Sequence, residues 1–434
     1  MDDQNKPEHR PIALTPINPG PTPNDWKIKT IGEVSHKVTN GFVGSSLPHQ
    51  VEEGVTYLQG FNVRPSKIEL KNRTFVSREF HKSNNKSQLK AGDVLVVQSG
   101  HIGTAARVPE DFGEANCHAL IIVDLRRDKV VPDYLVEHLN SPIGRARMRG
   151  LHVGSSILHI NTSELAKYRL PLPPLDEQRK IAEILRTWGE AIEKLEALRA
   201  AKTTRLTALT QRLVFGKGRL SGHTNGADTV AYRWFMLPAD WKCEPINAIA
   251  EEVSERHLGD APIEVLSCSK YDGFVRSLDY FKKQVFSSDL DGYKKIWRND
   301  FGFPSNHVEE GSIGLQDIVD VGLVSPIYTV FRFDPTKVIP EYAFAVLKTA
   351  VYRHIFEVST SASVDRRGSL RWREFSKLPF PLPSKAEQVA IMEVLRTGRA
   401  EIAALTQQIQ AVTDQKRGLM QKLLTGEWRV NPHG

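Results

Sequence analysis

We predict an α+β fold: two similar globular domains joined by two long antiparallel coiled-coil helices, with an internal pseudo-two-fold repeat. The segment PLPPLDEQRKIAEILRT at 171–187 recurs as PLPSKAEQVAIMEVLRT at 381–397, and ten of the 17 positions are identical. Unrelated stretches of this length would share about one. Short β-rich runs bounded by turn residues precede each copy. The chain is therefore a duplication in which each copy ends in a long helix.

Each copy of the repeat opens a helix of roughly 40 residues, which is about 60 Å long. Prolines keep the preceding segment extended. Ser384 with Glu387 fits a capping box in the second copy, and Asp176 is the expected cap in the first. Gly216 and Gly426 suit the left-handed position after a helix. Apolar residues at steps of three and four are typical of a coiled coil.

The two helices are expected to pair with each other. Arg199 and Lys202 interrupt the apolar seam of the first helix, whereas the equivalent positions of the second hold Ile409 and Val412. The two seams therefore complement each other. The pair would act as a ruler between the two domains. The alternative is that each helix packs only on its own domain.

The repeat also sets the expected domain boundaries, and a D-W-K segment begins each globular domain at 25–27 and 240–242. The parts are an N-terminal extension (1–23), a first globular domain (24–175), a first long helix (176–215), a linker (216–237), a second globular domain (238–385), a second long helix (386–425) and a C-terminal tail (426–434). Strands are expected within 93–100, 118–125 and 327–333, and helices within 132–140 and 340–351.

Composition favours a folded protein with an anionic partner. The 434 residues are 40% hydrophobic and carry a net charge of +7. Residues 24–175 hold 20 basic and 15 acidic side chains, and residues 238–385 hold 19 and 21. The second domain would thus bind nucleic acid through local clusters. Three distant cysteines and no long apolar run predict a cytoplasmic protein without a disulfide framework or a membrane span.

Two polar stretches in each domain are candidates for DNA contact. The first is the glycine-containing segment after a β-run, where backbone can approach a ligand closely; the plainer interpretation is a β-turn. The second precedes the proline-rich segment; it is uncharged in the first domain and arginine-rich in the second, where the alternative is a salt-bridged surface. The candidates are Gln98, Ser99, His101, Ser155, Ser156, His159 and Asn161 in the first domain, and Asn306, His307, Arg366, Arg367, Arg371, Trp372 and Arg373 in the second.

No catalytic motif is evident in the sequence. GxxxxGK[ST], GxGxxG, HExxH and an Asn/Asp-Pro-Pro-aromatic tetrapeptide are all missing, and no metal site is expected. The E-L-K segment at 69–71 has the form of a nuclease motif without its upstream aspartate. The sequence therefore predicts a binding protein that carries no active site.

The whole arrangement resembles the specificity (S) subunit of type I restriction–modification systems. Two diverged regions, each entered through D-W-K and left through PLPxxxEQ and a long helix, carry that resemblance. It implies that each globular domain is a target recognition domain for one half of a split DNA site. The helices would set the gap and dock the partners, and we assign Glu177, Gln178, Glu387 and Gln388 to partner contact.

The resemblance also implies the partners and their cofactors. Two modification subunits would bring S-adenosylmethionine, and restriction subunits would bring ATP and Mg²⁺; this chain would hold no cofactor. Two alternatives remain open at this point. One is a coiled-coil adaptor that binds proteins rather than DNA, and the other is a self-contained DNA methyltransferase or nuclease with unrecognised motifs.

Overall fold

The computed structural model describes residues 20, 22–151, 159–223, 228–259, 263–270, 273–306, 308–360 and 369–431. The chain divides into two compact units. The first unit is Met1–Glu196 together with Gln407–Gly434, and the second is Ala197–Thr406. Each unit therefore contains one globular domain and a part of both long helices.

The elements of the first globular domain are short. Its strands are β1 (Lys27–Thr30), β2 (Ser35–Asn40), β3 (Gln50–Val51), β4 (Val55–Leu58), β5 (Val63–Arg64), β6 (Lys67–Ile68), β7 (Thr74–Val76), β8 (Val94–Val97), β9 (Ala105–Arg107), β10 (Ala115–Cys117), β11 (Leu120–Leu125) and β12 (Arg169–Leu172). Its helices are α1 (Arg78–Ser83), α2 (Pro132–Asn140), α3 (Pro142–Met148) and α4 (Thr162–Ala166), followed by the long helix α5 (Leu175–Val214).

The second globular domain has a similar succession. Its strands are β13 (Thr229–Ala231), β14 (Met236–Pro238), β15 (Lys242–Pro245), β16 (Ala250–Glu252), β17 (Leu266–Ser269), β18 (Gly273–Arg276), β19 (Lys294–Trp297), β20 (Phe301–Pro304), β21 (Gly314–Leu315), β22 (Val321–Val324), β23 (Tyr328–Phe333) and β24 (Pro379–Leu382). Its helices are α6 (Ser277–Phe281), α7 (Pro340–Leu347), α8 (Ala350–Ser359) and α9 (Trp372–Phe375), followed by the long helix α10 (Lys385–Thr425).

A four-stranded antiparallel sheet forms the centre of each unit, with the same order of strands. The order is β2-β11-β8-β9 in the first unit and β16-β23-β20-β21 in the second. A helix that begins with proline, α2 or α7, contacts the edge strand β9 or β21. The predicted repeat of the fold is confirmed at this level.

The strands outside the central sheets differ between the units. The first unit has a second sheet of order β10-β4-β7-β3, whereas the second unit has two separate strand pairs, β17-β18 and β19-β22. These strands belong to the middle of each globular domain, where the two copies of the sequence have diverged most. The duplication has thus kept the central sheet and varied what surrounds it.

A two-strand pair leads each domain into its long helix. Lys27 of β1 lies opposite Leu172 of β12, and Lys242 of β15 lies opposite Leu382 of β24. The strand that follows D-W-K is therefore paired with the proline-rich strand that precedes the helix. Because proline fixes φ, this strand reaches the helix start in one conformation.

The starts of the long helices match one of the two predicted caps. Ser384 Oγ accepts a hydrogen bond from Glu387 N at 3.3 Å, which is one half of the predicted capping box; the Glu387 carboxylate binds Arg219 and Trp241. The prediction that Asp176 caps the first helix is wrong. That helix begins at Leu175, and the carboxylate of Asp176 pairs with Arg179 inside the first turn.

Within each unit, the segments of α5 and α10 pack together and also on the globular domain. In the second unit Lys202 Nζ bonds Glu401 Oε2 at 2.7 Å, and Gly398 packs against Leu206. Residue numbers thus rise along α5 as they fall along the facing part of α10, so the two helices are antiparallel there. In the first unit Ile181 of α5 shares the domain core with Leu423 of α10. The predicted pairing of the helices is confirmed. Packing on a globular domain, the alternative, occurs in addition to this pairing.

The predicted glycine follows each long helix, two residues after the end of α5 and one residue after the end of α10. Gly216 and Gly426 have φ values of 64° and 76°, a region that costs a residue with a Cβ atom free energy. A Cβ atom at either position would lie 2.4 Å from a proline Cγ, on Pro238 or Pro23 respectively. Close backbone approach therefore adds a second reason for glycine at both ends.

No helix in the described part of the chain is both long enough and apolar enough to cross a membrane.

Candidate nucleic-acid interface

The first unit brings its two predicted polar stretches together. The loop 98–103 connects β8 to β9 at one end of the central sheet. Ile160 N donates to Gln98 O at 3.0 Å, and Ser99 forms an isolated β-bridge with His159. The segment at 159–161 therefore lies along the loop. We call these residues together the loop surface of the first unit.

The second unit has an equivalent loop surface, formed by the described residues 305–306 and 308–313 with 369–371. The loop connects β20 to β21, and Leu370 N donates to Ser305 O at 2.8 Å. This bond matches the one between Ile160 and Gln98. Pairing of β20 with β21 also makes Ser305 the counterpart of Gln98. The glycine-containing loops of the two units are thus equivalent, and Ser305, which was not among the candidates, takes the place of Gln98.

The candidates of the first unit differ in how far they reach solvent. Ser99, His101 and Asn161 are exposed, and His159 is half-buried. Gln98 is only 5% exposed, and its Oε1 has no hydrogen-bond partner in the described structure. Gln98 therefore cannot offer its amide to a base edge in this conformation. The prediction of Ser155 and Ser156 falls on positions outside the described residues.

In the second unit two of the predicted arginines lie on the surface. Arg371 and Arg373 are exposed, and Asn306 is half-buried. Trp372 packs against Phe331 and Phe375, with ring centroids 5.5 and 6.0 Å apart. Because those contacts occupy it, Trp372 anchors the segment to the core and is not free to stack on a base.

The remaining candidates of the second unit, His307, Arg366 and Arg367, lie outside the described residues.

A group of arginines that the sequence interpretation missed lies beside the first loop surface. Arg145 and Arg149, at and just after α3, line a cleft together with Arg64, Gly100 and His101. Arg145 Nη1 donates to the Ile102 carbonyl at 2.9 Å. The sequence signal was the run R-A-R-M-R at 145–149, which immediately precedes the second polar stretch.

Burial affects the charge of this group. The guanidinium of Arg145 is half-buried, and desolvation together with the nearby Arg149 lowers its pKa. No carboxylate lies within ion-pair distance of Arg145 in the described structure. A partly buried cation without a counter-ion is unfavourable unless an anion binds there.

The glutamines assigned to partner contact have an internal role instead. Gln178 is 1% exposed; its Oε1 accepts from Val131 N at 2.9 Å and its Nε2 donates to Pro173 O at 2.9 Å. Gln388 is 0% exposed and makes the same bonds with Ile339 N and Pro383 O. Each glutamine ties the helix start to the loop before α2 or α7. This corrects the prediction, because a buried and satisfied amide cannot bind a partner.

The glutamates of the same motif are also buried. Glu177 and Glu387 are each 3% exposed. Arg429 binds Glu177 and Asp25 in the first unit. In the second unit the corresponding contacts join Arg219 to Glu387 and to Asp240, and Trp241 Nε1 donates to Glu387 Oε2 at 3.0 Å. The E-Q pair is therefore repeated because it fixes each domain to its helix.

In the described residues, no group of three or more His, Cys, Asp or Glu side chains could hold a metal ion. The buried titratable groups are instead embedded in the cores. His138 lies between Tyr168 and Arg147, and burial lowers its pKa to about 3. Burial also raises the pKa of Asp93 to about 6. Neither group opens onto a loop surface described above.

Comparisons with known proteins agree with this geometry. Residues 23–201 match the family described as the type I restriction modification DNA specificity domain. The MjaVIII specificity subunit of Methanocaldococcus jannaschii is 21% identical over 424 residues, which cover 94% of each chain. The StySPI specificity subunit of Salmonella potsdam is 21% identical, over 96% of this chain and 93% of its own.

A solved structure of a type I restriction–modification system, described by its complex assembly and conformational transition, contains a similar fold. The TM-score is 0.56 at 15% identity, over 94% of this chain and 99% of that one. The shared fold, the matched domain and relatives aligned over nearly the full length favour neither the adaptor nor the self-contained enzyme. Residues 23–201 therefore form a type I restriction modification DNA specificity domain, and over nearly its full length the chain is similar to the specificity subunits of type I restriction enzymes.

Proposed function

We propose that each unit recognises one half of a two-part DNA site through its own loop surface. One observation carries the proposal: the central sheets have the same strand order, whereas the polar residues at the equivalent loops differ. The first unit offers Ser99, His101 and Asn161, and the second offers Arg371 and Arg373. Hydrogen bonds to base edges in the major groove would supply the sequence preference. The target site would therefore be asymmetric.

The partners and cofactors belong to the same proposal. Two modification subunits would carry S-adenosylmethionine and methylate adenine, and restriction subunits would use ATP and Mg²⁺ to translocate and cleave DNA. The target base would leave the duplex to reach the modification subunit. Because the EQ residues are buried, these subunits would dock on exposed faces of the long helices and domains. Because this chain would act on DNA and its cysteines are free, we expect it to act in the cytoplasm.

Methylation in cells tests the proposal. Genomic DNA is sequenced for N6-methyladenine from cells carrying the modification gene with this chain, and from cells carrying it alone. We expect one asymmetric two-part motif, present only when the chain is present. The purified chain with S-adenosylmethionine should transfer no methyl group by itself. Methylation by the isolated chain, or an unbroken motif, would contradict the proposal.

The long helices are proposed to set the gap between the two halves. Helix α5 runs from the first unit into the second, and so does α10 in the opposite sense. Inserting seven residues after Leu195 and seven at the matching level of α10, after Gln408, would lengthen both by about 10.5 Å. We expect the gap to grow by about three base pairs while both half-sites stay the same. Altered half-sites would disprove the role of the helices as a spacer.

A further inference from the structure

Two arginines occupy the same place beside the loop surfaces of the two units. Ser141 caps α3, and Arg145 N donates to Ser141 O at 2.8 Å. Thr349 caps α8 in the same way, and Arg353 N donates to Thr349 O at 3.1 Å. Both caps also donate a side-chain hydrogen bond to the end of the preceding helix. Arg145 and Arg353 are therefore structural equivalents.

Both arginines lie against the glycine-containing loop of their unit. Arg145 donates to Ile102 O at 2.9 Å and to Asn140 Oδ1 at 3.2 Å. A guanidinium has five N–H donors, so most of its donors are left for a ligand. In the second unit Lys348 Nζ holds the loop instead, by donating to Gly311 O at 2.9 Å. Arg353 packs its Cδ beside Gly311 and exposes its head to solvent.

Neither guanidinium has an acidic partner among the described residues of its unit. No carboxylate there forms an ion pair with Arg145 or Arg353, whereas the nearby Arg64 and Arg107 are paired with Glu69 and with Glu110 and Asp133. Arg145 shares its cleft with Arg64, Arg149 and His101, and no acidic side chain lines that cleft. The surroundings therefore fit an anion that comes from outside the chain.

The conserved position of these arginines identifies the kind of anion. The other polar residues of the two loop surfaces differ, as expected if they contact different bases. A side chain that is the same in both units is suited to the part of DNA that is the same at every sequence, the phosphate backbone. Arginine binds phosphate oxygens through parallel hydrogen bonds as well as charge.

We propose that Arg145 and Arg353 are equivalent DNA-phosphate anchors, one beside each loop surface, which position the loops over their half-sites. This inference rests on the proposed function of the two units. Arg145 acts in a cleft with Arg64 and Arg149, whereas Arg353 acts from an exposed helix face. The anchors supply affinity that does not depend on base sequence, and the differing loop residues supply the choice of bases.

Salt-dependent binding by the complex with modification subunits tests the proposal. The variants are R145Q, R353Q and the double variant, with R145K as the charge-preserving form. Glutamine keeps a polar side chain at each position and removes the charge. The control is R186Q, which removes an exposed arginine of α5 that lies 3.7 Å from Glu190. Thermal unfolding of each complex verifies that the fold is retained.

We expect each single variant to weaken binding to target and to random duplex by the same factor, roughly threefold to tenfold at 0.15 M salt. The slope of log K against log salt should fall by about 0.9 per variant and by about 1.8 in the double variant. R145K and R186Q should keep the wild-type slope. An unchanged slope in R145Q and R353Q, or a changed half-site motif, would overturn the phosphate assignment. A wild-type complex with no preference for its methylated motif would instead refute the proposed function, whatever the slopes.

Discussion

Arg219 and Arg429 make the same contacts in the two units, 210 positions apart in the chain. Each guanidinium binds one carboxylate of the D-W-K segment and one glutamate at the start of a long helix. Arg219 follows the end of α5 and Arg429 follows the end of α10. The segment after each helix therefore joins the beginning of a domain to the beginning of the other helix in the same unit.

Removing one of these arginines should destabilise only its own unit. R429A would leave Glu177 buried without its counter-charge, at a cost of roughly 2–4 kcal/mol in the free energy of unfolding. R219A should do the same in the second unit. Hydrogen exchange resolved along the sequence measures this: R429A should speed exchange in β1, β12 and the start of α5. The control is R179A, whose arginine is exposed. Faster exchange in both units alike would refute the assignment.

The glutamine of the repeat should matter for stability rather than for partner binding. Q178A would leave Val131 N and Pro173 O without their partner, which costs about 1–3 kcal/mol. Pull-down of the modification subunit, at a temperature where the variant stays folded, measures partner binding. We expect wild-type capture there, with a lowered Tm. Loss of capture by a variant of unchanged Tm would restore the original assignment of Gln178 to the partner surface.

Acid should weaken the first unit through His138. Burial holds its pKa at about 3 in the folded chain, against about 6.5 when unfolded. Below pH 6.5 the unfolded chain takes up a proton that the folded chain does not, so stability falls as pH falls towards 3. The loss at pH 5.5 relative to pH 7.5 is about 1.4 kcal/mol.

The variant H138V removes this pH dependence, because valine does not titrate. Valine is chosen because Val346 occupies the equivalent position of the second unit. Urea unfolding at pH 7.5 and 5.5 should show a smaller decrease for H138V than for the wild type. Replacement of the exposed His36 by alanine is the control and should keep the wild-type decrease. Equal decreases in the wild type and H138V would show that His138 is not the group responsible.

Two glycines inside α10 should respond oppositely to alanine. A Cβ atom at Gly418 would meet nothing within 4 Å, so G418A should stabilise the helix by about 0.5–1 kcal/mol. A Cβ atom at Gly398 would lie 2.7 Å from Leu206 Cδ1. G398A should therefore lose that gain, or destabilise, because the helix pair must shift. The Tm values of the two variants give the comparison, and equal gains would argue against close packing of the helices at Gly398.

The sequence predicted the parts of the fold that the duplication preserved. Helix starts, both terminal glycines and the helices from Pro132 and Pro340 follow from local rules of capping and proline placement. The cap at Asp176 was wrong because the helix begins at Leu175, so the cap position falls on Pro174, whose side chain has no hydrogen-bond acceptor. Local chemistry could not decide between these two starts.

The candidate site was harder to predict, because its members come from distant segments. The meeting of 98–103 with 159–161 depends on where α4 leaves the central sheet, and no spacing rule gives that position. Repetition also misled the interpretation of the E-Q pair. The pair recurs because both units need it for their structure. The equivalent residues Arg145 and Arg353 were missed because they lie 208 positions apart, whereas the repeat has an offset of 210.

Alanine substitution within one loop surface tests whether each unit selects its own half-site. Residues Ser99, His101 and Asn161 are replaced together by alanine, and the methylated motif is sequenced from cells that also carry the modification subunits. We expect one half of the motif to become relaxed while the other half and the gap stay unchanged. Loss of both halves in a complex that still assembles, or an unaltered motif, would contradict it.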